Sequence, residues 1–280
     1  MRASLRLLAW MAVLTAGGGC VRSADPILAT TDVVFVESVV VAGRSRAYML
    51  VGNTHGSAPP VVDATLSGPG WTAAFSETVD VYWCGVRAPD WWPGPVECRR
   101  ARLPEPIRES TRYTLAGTTP MGPFSGQTVV PRAPVVLQPA DTVHVRIASA
   151  QESVELTLRF ETPSEVGSLT VEPFRALQIH DDGTQEPSKV GGVFPSYLAV
   201  GSNSAEVAIH GHWDAPGFRV SLRLIGFEEN YSRFMEVVGD DTELLGHPWP
   251  TFGLEGVIGY FGGGAPSRTI PVVIRIGEGS

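Results

Sequence analysis

Along much of the chain, apolar and polar residues alternate with a period of two. In SVELTLRF, Val154, Leu156, Leu158 and Phe160 fall on one side, with Glu155, Thr157 and Arg159 opposite. FRVSLRL repeats the pattern with Val220, Leu222 and Leu224 against Arg219, Ser221 and Arg223, and TVHVRI and AEVAIHGHW behave alike. Successive side chains of a strand point to opposite faces, so this pattern predicts strands with one buried and one wet face, the signature of antiparallel sandwiches.

The first half also reads as strand after strand. DVVFVESVVVAG and RAYMLVG, joined by a GRS turn, predict a hairpin. VVDATLSGPG, WTAAF, TVDVYW, RRARL and RYTLAG follow as further strands, and IHDDGTQ predicts a later hairpin turn. GQTVVPRAPVV carries two prolines around Arg132 and marks a boundary between two sheet systems. Only EENYSRFMEVV (228–238) has helical spacing, with Tyr231, Phe234, Met235 and Val238 on one side. No helices alternate with the strands, which disfavours α/β architectures. The fold class is therefore all-β: two antiparallel β-sandwich modules, one over residues 31–132 and one over 133–280 with a short helix near 228–238.

Composition agrees. A chain of 280 residues that is 43% hydrophobic and 18% charged can build ordinary cores, and 31 glycines with 23 prolines fit many turns between short strands. The net charge is −8, and Lys189 is the only lysine among 21 basic residues. Arg99, Arg100 and Arg102 form the densest basic cluster, too small to track a phosphate backbone, so nucleic-acid binding is disfavoured.

The N-terminus has another character. Arg2 and Arg6 precede an apolar run of ten residues, Leu7–Ala16, too short to span a bilayer and of the right length for a secretory signal. The following AGGGC resembles the lipobox of bacterial lipoproteins, with Gly17 where a large aliphatic residue is preferred. That resemblance implies cleavage after residue 19, acyl chains on Cys20 and a tether over residues 20–30. An ordinary secretory signal cleaved near Ala24 is the alternative. Acyl chains hold a protein at a membrane by about 0.8 kcal/mol per buried CH₂. Val21 rather than Asp follows Cys20, which points to an outer-membrane lipoprotein.

Of three cysteines, lipidation of Cys20 leaves Cys84 and Cys98 as a pair around the Pro-rich CGVRAPDWWPGPVEC loop. An oxidising compartment favours that disulfide, and closing such a loop stabilises by roughly 3 kcal/mol.

The order of FVESVVVAG, VVDATLSGPG, RYTLAG leading into GQTVVPRAP, and LEGVIGYFGGGAPSRTIPVVI resembles a domain-of-unknown-function family of envelope lipoproteins from Bacteroidota-type bacteria. The resemblance spans most of residues 30–276. It implies two β-sandwich modules, the first of transthyretin or immunoglobulin type, and it implies no catalytic residue.

Candidate chemistry is sparse. His210 and His212, two apart on a strand, share a face and could hold a metal for a hydrolase, with a third ligand from His180, Asp181, Asp182, Asp214 or His247. The simpler reading puts Val207, Ile209 and Trp213 in the core and leaves both histidines in water. GPFSG (122–126) lacks the serine position of a nucleophile elbow, and FGGGAPS (261–267) lacks the lysine of a phosphate loop. The latter predicts a tight bend or close backbone packing. Trp91 and Trp92, between two prolines of the disulfide loop, either present rigid rings to a sugar or a protein, or fold back on their own sandwich. The sequence thus predicts no enzyme and no cofactor, but a lipid-anchored binding, scaffolding or assembly module. Its partners are the membrane and an envelope protein or a glycan.

Overall fold

The computed structural model describes residues 33–53, 58–84, 95–149, 153–188, 192–194, 196–198, 201–211, 213, 215–239 and 251–277. Cys20, Trp91, Trp92 and His212 lie outside the described residues.

The first half contains β1 Val34–Val41, β2 Arg46–Asn53, β3 Asp63–Gly68, β4 Trp71–Ala74, β5 Glu77–Val79, β6 Val96–Arg102, β7 Arg112–Thr119 and β8 Gly122–Val129. The second contains β9 Val135–Gln138, β10 Val143–Ile147, β11 Val154–Glu161, β12 Ser168–Ile179, β13 Gln185–Pro187, β14 Gly192–Phe194, β15 Tyr197–Leu198, β16 Ser204–His210 and β17 Gly217–Phe227. The helix α1 Glu229–Gly239 then precedes β18 Thr251–Phe252, β19 Leu254–Glu255, β20 Ile258–Pro266 and β21 Ile270–Ile276. The fold is all-β with β-sandwich packing, and α1 forms where the 3.6-residue spacing predicts it.

Three sheets build two cores. A 12-stranded sheet runs in the order β10-β21-β17-β20-β1-β2-β6-β5, with β12, β13, β15 and β18 branching from it. A five-stranded sheet, β19-β8-β7-β3-β4, covers one end of it, and a four-stranded sheet, β14-β16-β11-β9, belongs with the other end. The first core includes Val36, Met49, Leu66, Leu115 and Phe124. The second includes Leu158, Phe160, Trp213, Phe218, Leu222 and Ile274. In β11 the predicted alternation is complete, every second residue buried and its neighbours exposed. Val207, Ile209 and Trp213 are buried as their register predicts.

The halves of the sequence do not coincide with the halves of the structure. Residues beyond the expected boundary at 132/133 complete the first sandwich: β19 pairs with β8, and β20 lies parallel to β1 from Phe35↔Ile258 to Val41↔Gly264. The next strand, β21, returns to pair with β17 and β10 in the second sandwich. The two modules meet where Ile225, Gly226 and Phe227 pair with Pro266, Ala265 and Gly264. The glycine run in β20 allows this close packing. A Cβ on Gly263 would come within 2.9 Å of the Val130 Cα, and one on Gly264 within 2.8 Å of the Phe227 ring.

A third, smaller core lies on the opposite face of the large sheet, where α1 crosses the first module. Phe35, Leu50, Cys98, Phe234 and Tyr260 are buried there, with Tyr231 and Met235 packed against them. Phe234 and Tyr260 pack as tilted rings with their centroids 4.2 Å apart. With the first sandwich core on one face and α1 over the start of the other, the first five residues of β1 are all buried, Glu37 and Ser38 included.

Candidate binding groove beside the helix

Cys84 and Cys98 are disulfide-bonded, with their Cα atoms 5.8 Å apart. The bond fastens the end of a 3-10 turn, Val81–Cys84, to β6. Sequence alternation predicts a strand through TVDVYW, yet the strand stops at Val79. The Asp80 carboxylate accepts a hydrogen bond from the Tyr82 N–H at 2.9 Å, turning the chain. The turn leaves Tyr82 85% and Trp83 59% exposed, packed edge to face.

Trp83 and Cys84 form one wall of a groove of about 210 Å³ on the outer face of the large sheet. Its floor is Val39, Val41, Tyr48, Ile225 and Phe227, and Tyr231 and Tyr260 stand on the side covered by α1. Arg44 and Arg46 form one rim, and Arg223 with Glu172 the other. A groove therefore opens where the helix stops covering the sheet.

The electrostatics of the two rims differ. Arg223 is only 9% exposed; its Nε donates to the Glu172 carboxylate at 2.6 Å, and its guanidinium lies 4.3 Å from the centre of the Phe174 ring. That cation is neutralised and stacked. On the near side Glu77 binds both Arg102 and Arg100, and these guanidiniums hold its carboxyl at about 2. Arg44 and Arg46 are exposed and have no acidic partner among the described residues. The charged lining, three arginines and one glutamate, is net positive on a chain whose net charge is −8.

Aromatic rings continue along the groove. Tyr231 stacks on Phe227 at 4.1 Å, and its hydroxyl hydrogen-bonds that of Tyr197, which is exposed. Burial pushes the Tyr231 and Tyr260 phenols well above their ordinary range, so both stay neutral. Glu37 sits behind them, paired in register with Tyr260 and Leu50. It is 1% exposed, neither carboxylate oxygen has a partner, and desolvation raises its pKa well above the ordinary 4.5. Nothing in the alternation around FVESVV identifies that carboxyl as buried; the covering helix comes from the far end of the sequence.

Of the residues singled out from sequence, Cys84 and Cys98 come together. His210 lies exposed on β16, its backbone opposite Gly192. No group of three His, Cys, Asp or Glu able to hold a metal occurs among the described residues. Trp91 and Trp92 lie outside the described residues; the exposed aromatics beside the disulfide among the described residues are Tyr82 and Trp83, just before Cys84. VYWC carries the sequence signal, two aromatics abutting a disulfide cysteine, but its strand-like alternation hides the exposure.

No family model matches the chain, and no curated protein matches it. Among solved structures, the titin domains Z1Z2 in complex with telethonin align at 12% identity and a TM-score of 0.20, covering 89% of this chain and 97% of that one. Three N-terminal domains of the highly immunogenic outer capsid protein of bacteriophage RB49 align at 10% and 0.25, covering 88% and 71%. CBD12 from CALX1.2 aligns at 11% and 0.24, covering 87% and 99%. Scores this low carry no functional weight, and the fold is read from its own sheets.

Proposed function

We propose that this chain is a lipid-anchored binding and assembly module of a bacterial cell envelope, held to the membrane through Cys20 and presenting the groove beside α1 to a partner. The observation that carries the reading is the groove itself. Exposed Trp83 lines an apolar floor together with Arg44 and Arg46, and two further exposed rings, Phe174 and Tyr197, contact the lining residues Arg223 and Tyr231. Aromatic and arginine side chains dominate the energetics of protein recognition, because each buries a large area with few rotors or makes several hydrogen bonds.

The anchor is supported by the apolar run Leu7–Ala16, the small residues before Cys20, and the even pairing of the remaining cysteines. Val21 after the lipidated cysteine supports the outer membrane as destination. The metal-assisted hydrolase reading needs His212, which lies outside the described residues, and nothing in the structure favours it. In this reading the sandwiches serve as a stiff body that holds the groove at a set distance from the bilayer.

Growth with an alkyne-bearing palmitate, followed by intact-mass analysis, tests the anchor. The expected product begins at residue 20 and carries acyl chains, and Cys20→Ala abolishes the label and leaves the protein in the aqueous phase of a detergent partition. A mature chain beginning near Ala24 without lipid overturns it.

A further inference from the structure

This inference rests on the groove being a binding site. We infer that the groove takes an acidic peptide segment of a partner protein, in which one large apolar side chain enters the floor and flanking carboxylates meet Arg44 and Arg46.

The floor sets the first requirement. Val39, Val41, Ile225 and Phe227 are hydrocarbon surface with little to offer a ring of hydroxyl groups, whereas an aliphatic or aromatic side chain gains from leaving water there. About 210 Å³ is small against ordinary ligand pockets and holds a single anchoring side chain rather than a large molecule.

Charge sets the second. On a chain with a net charge of −8, acidic partners are repelled at long range unless a local cationic patch receives them. Arg100 and Arg102 share Glu77, Glu97 pairs with Arg99, and Glu172 pairs with Arg223. Arg44 and Arg46 are exposed on the loop after β1 and at the start of β2, and both line the groove. Two guanidiniums beside an apolar slot fit carboxylates flanking a hydrophobic residue, since each guanidinium can grip a carboxylate with two hydrogen bonds.

The body of the groove is already built before any partner arrives. The disulfide at Cys84 fixes the Trp83 wall, and the Glu172 ion pair with the Phe174 stack fixes Arg223. Little side-chain entropy is then lost on docking, which favours binding to a short flexible segment.

The test is selection of a library of random peptides on the full mature chain, followed by titration of the enriched peptide in labelled form. Enrichment of Asp and Glu around a Phe, Trp or Leu is expected. Arg44→Glu with Arg46→Glu should weaken that peptide by roughly tenfold or more, and raised salt should weaken binding to the wild type. Selection on the charge-reversed variant should yield Lys and Arg in place of the acids. Both positions are exposed, so an unchanged melting temperature verifies folding. If neutral apolar peptides are enriched and are lost with Trp83→Ala but not with the arginine changes, the groove binds and the acidic assignment is wrong. Oligogalacturonate binding that needs Arg44 and Arg46, with no peptide enriched, overturns the peptide in favour of an acidic glycan. A concentration-dependent dimer that the arginine changes dissolve overturns it in favour of a second copy. If no peptide, glycan or second copy depends on either set of residues, the binding reading falls as well.

Discussion

β1 and β11 are both eight-residue strands of this fold, and they live in opposite surroundings. Along β11 buried Val154, Leu156, Leu158 and Phe160 alternate with exposed Glu155, Thr157, Arg159 and Glu161. Along β1 the first five residues are all buried, because one face meets the first sandwich core and the other lies towards α1 and its small core. A charged residue on the open strand stays in water at no cost; on the covered strand it is stranded. The difference shows that the cost of a polar residue is set by which element covers its face, a fact local sequence does not carry.

The largest effects should come from large side chains on the dry faces. Phe160→Ala should destabilise by about 3–5 kcal/mol in denaturant unfolding, whereas Arg159→Ala beside it should stay within roughly 0.5 kcal/mol. On β1 no such contrast should appear. Phe35→Ala points away from the sandwich core, yet Phe35 is buried against Phe234 and should cost a similar amount. A near-neutral Phe35→Ala would mean that the helix does not cover β1 in solution.

Next in size is the disulfide. Replacing Cys84 and Cys98 together by Ser should lower stability by roughly 3 kcal/mol, because the unfolded chain regains the freedom of the closed loop. Equal melting temperatures for the variant and the wild type under non-reducing conditions would refute this.

Glu37 gives a smaller effect of unusual sign. Its folded pKa is raised, so the side chain is protonated in both states below the ordinary 4.5. As the pH rises beyond that, the unfolded chain ionises first and the native state loses stability until the buried carboxyl itself titrates. Each pH unit in that window costs about 1.4 kcal/mol. Glu37→Gln should therefore match the wild type near pH 4 and melt higher at neutral and alkaline pH, in thermal scans across that range. A variant that melts lower at every pH would sink this account.

The smallest effect should come from Glu165, which pairs with Arg132 at 2.6 Å on the surface where the chain first passes between modules. The guanidinium lowers its carboxyl to about 2. Its contribution is present above 4.5 and is lost as the pH falls towards 2, opposite to Glu37. Glu165→Gln should slightly lower the melting temperature at neutral pH, with the difference fading in acid and in high salt.

The sequence reveals most where one face of a strand is wet. SVELTLRF, AEVAIH and the EENYSRFMEVV helix all fold as their spacing predicts. The hairpin at IHDDGTQ does too, with Ile179 opposite Gln185 and Gly183 in the left-handed region. The division of the chain is less legible, because the prolines around Arg132 mark one crossing between modules and nothing as plain marks the return at β19 and β20. Trp83 and Arg44 are equally hard to place. Their surroundings are assembled from β1, β17 and α1, and no local pattern reports such a meeting.

The parallel contact of β20 with β1 also sets the order in which the molecule can be finished. β1 leaves the ribosome far ahead of residues 254–266, so the first sandwich stays incomplete until those residues have followed.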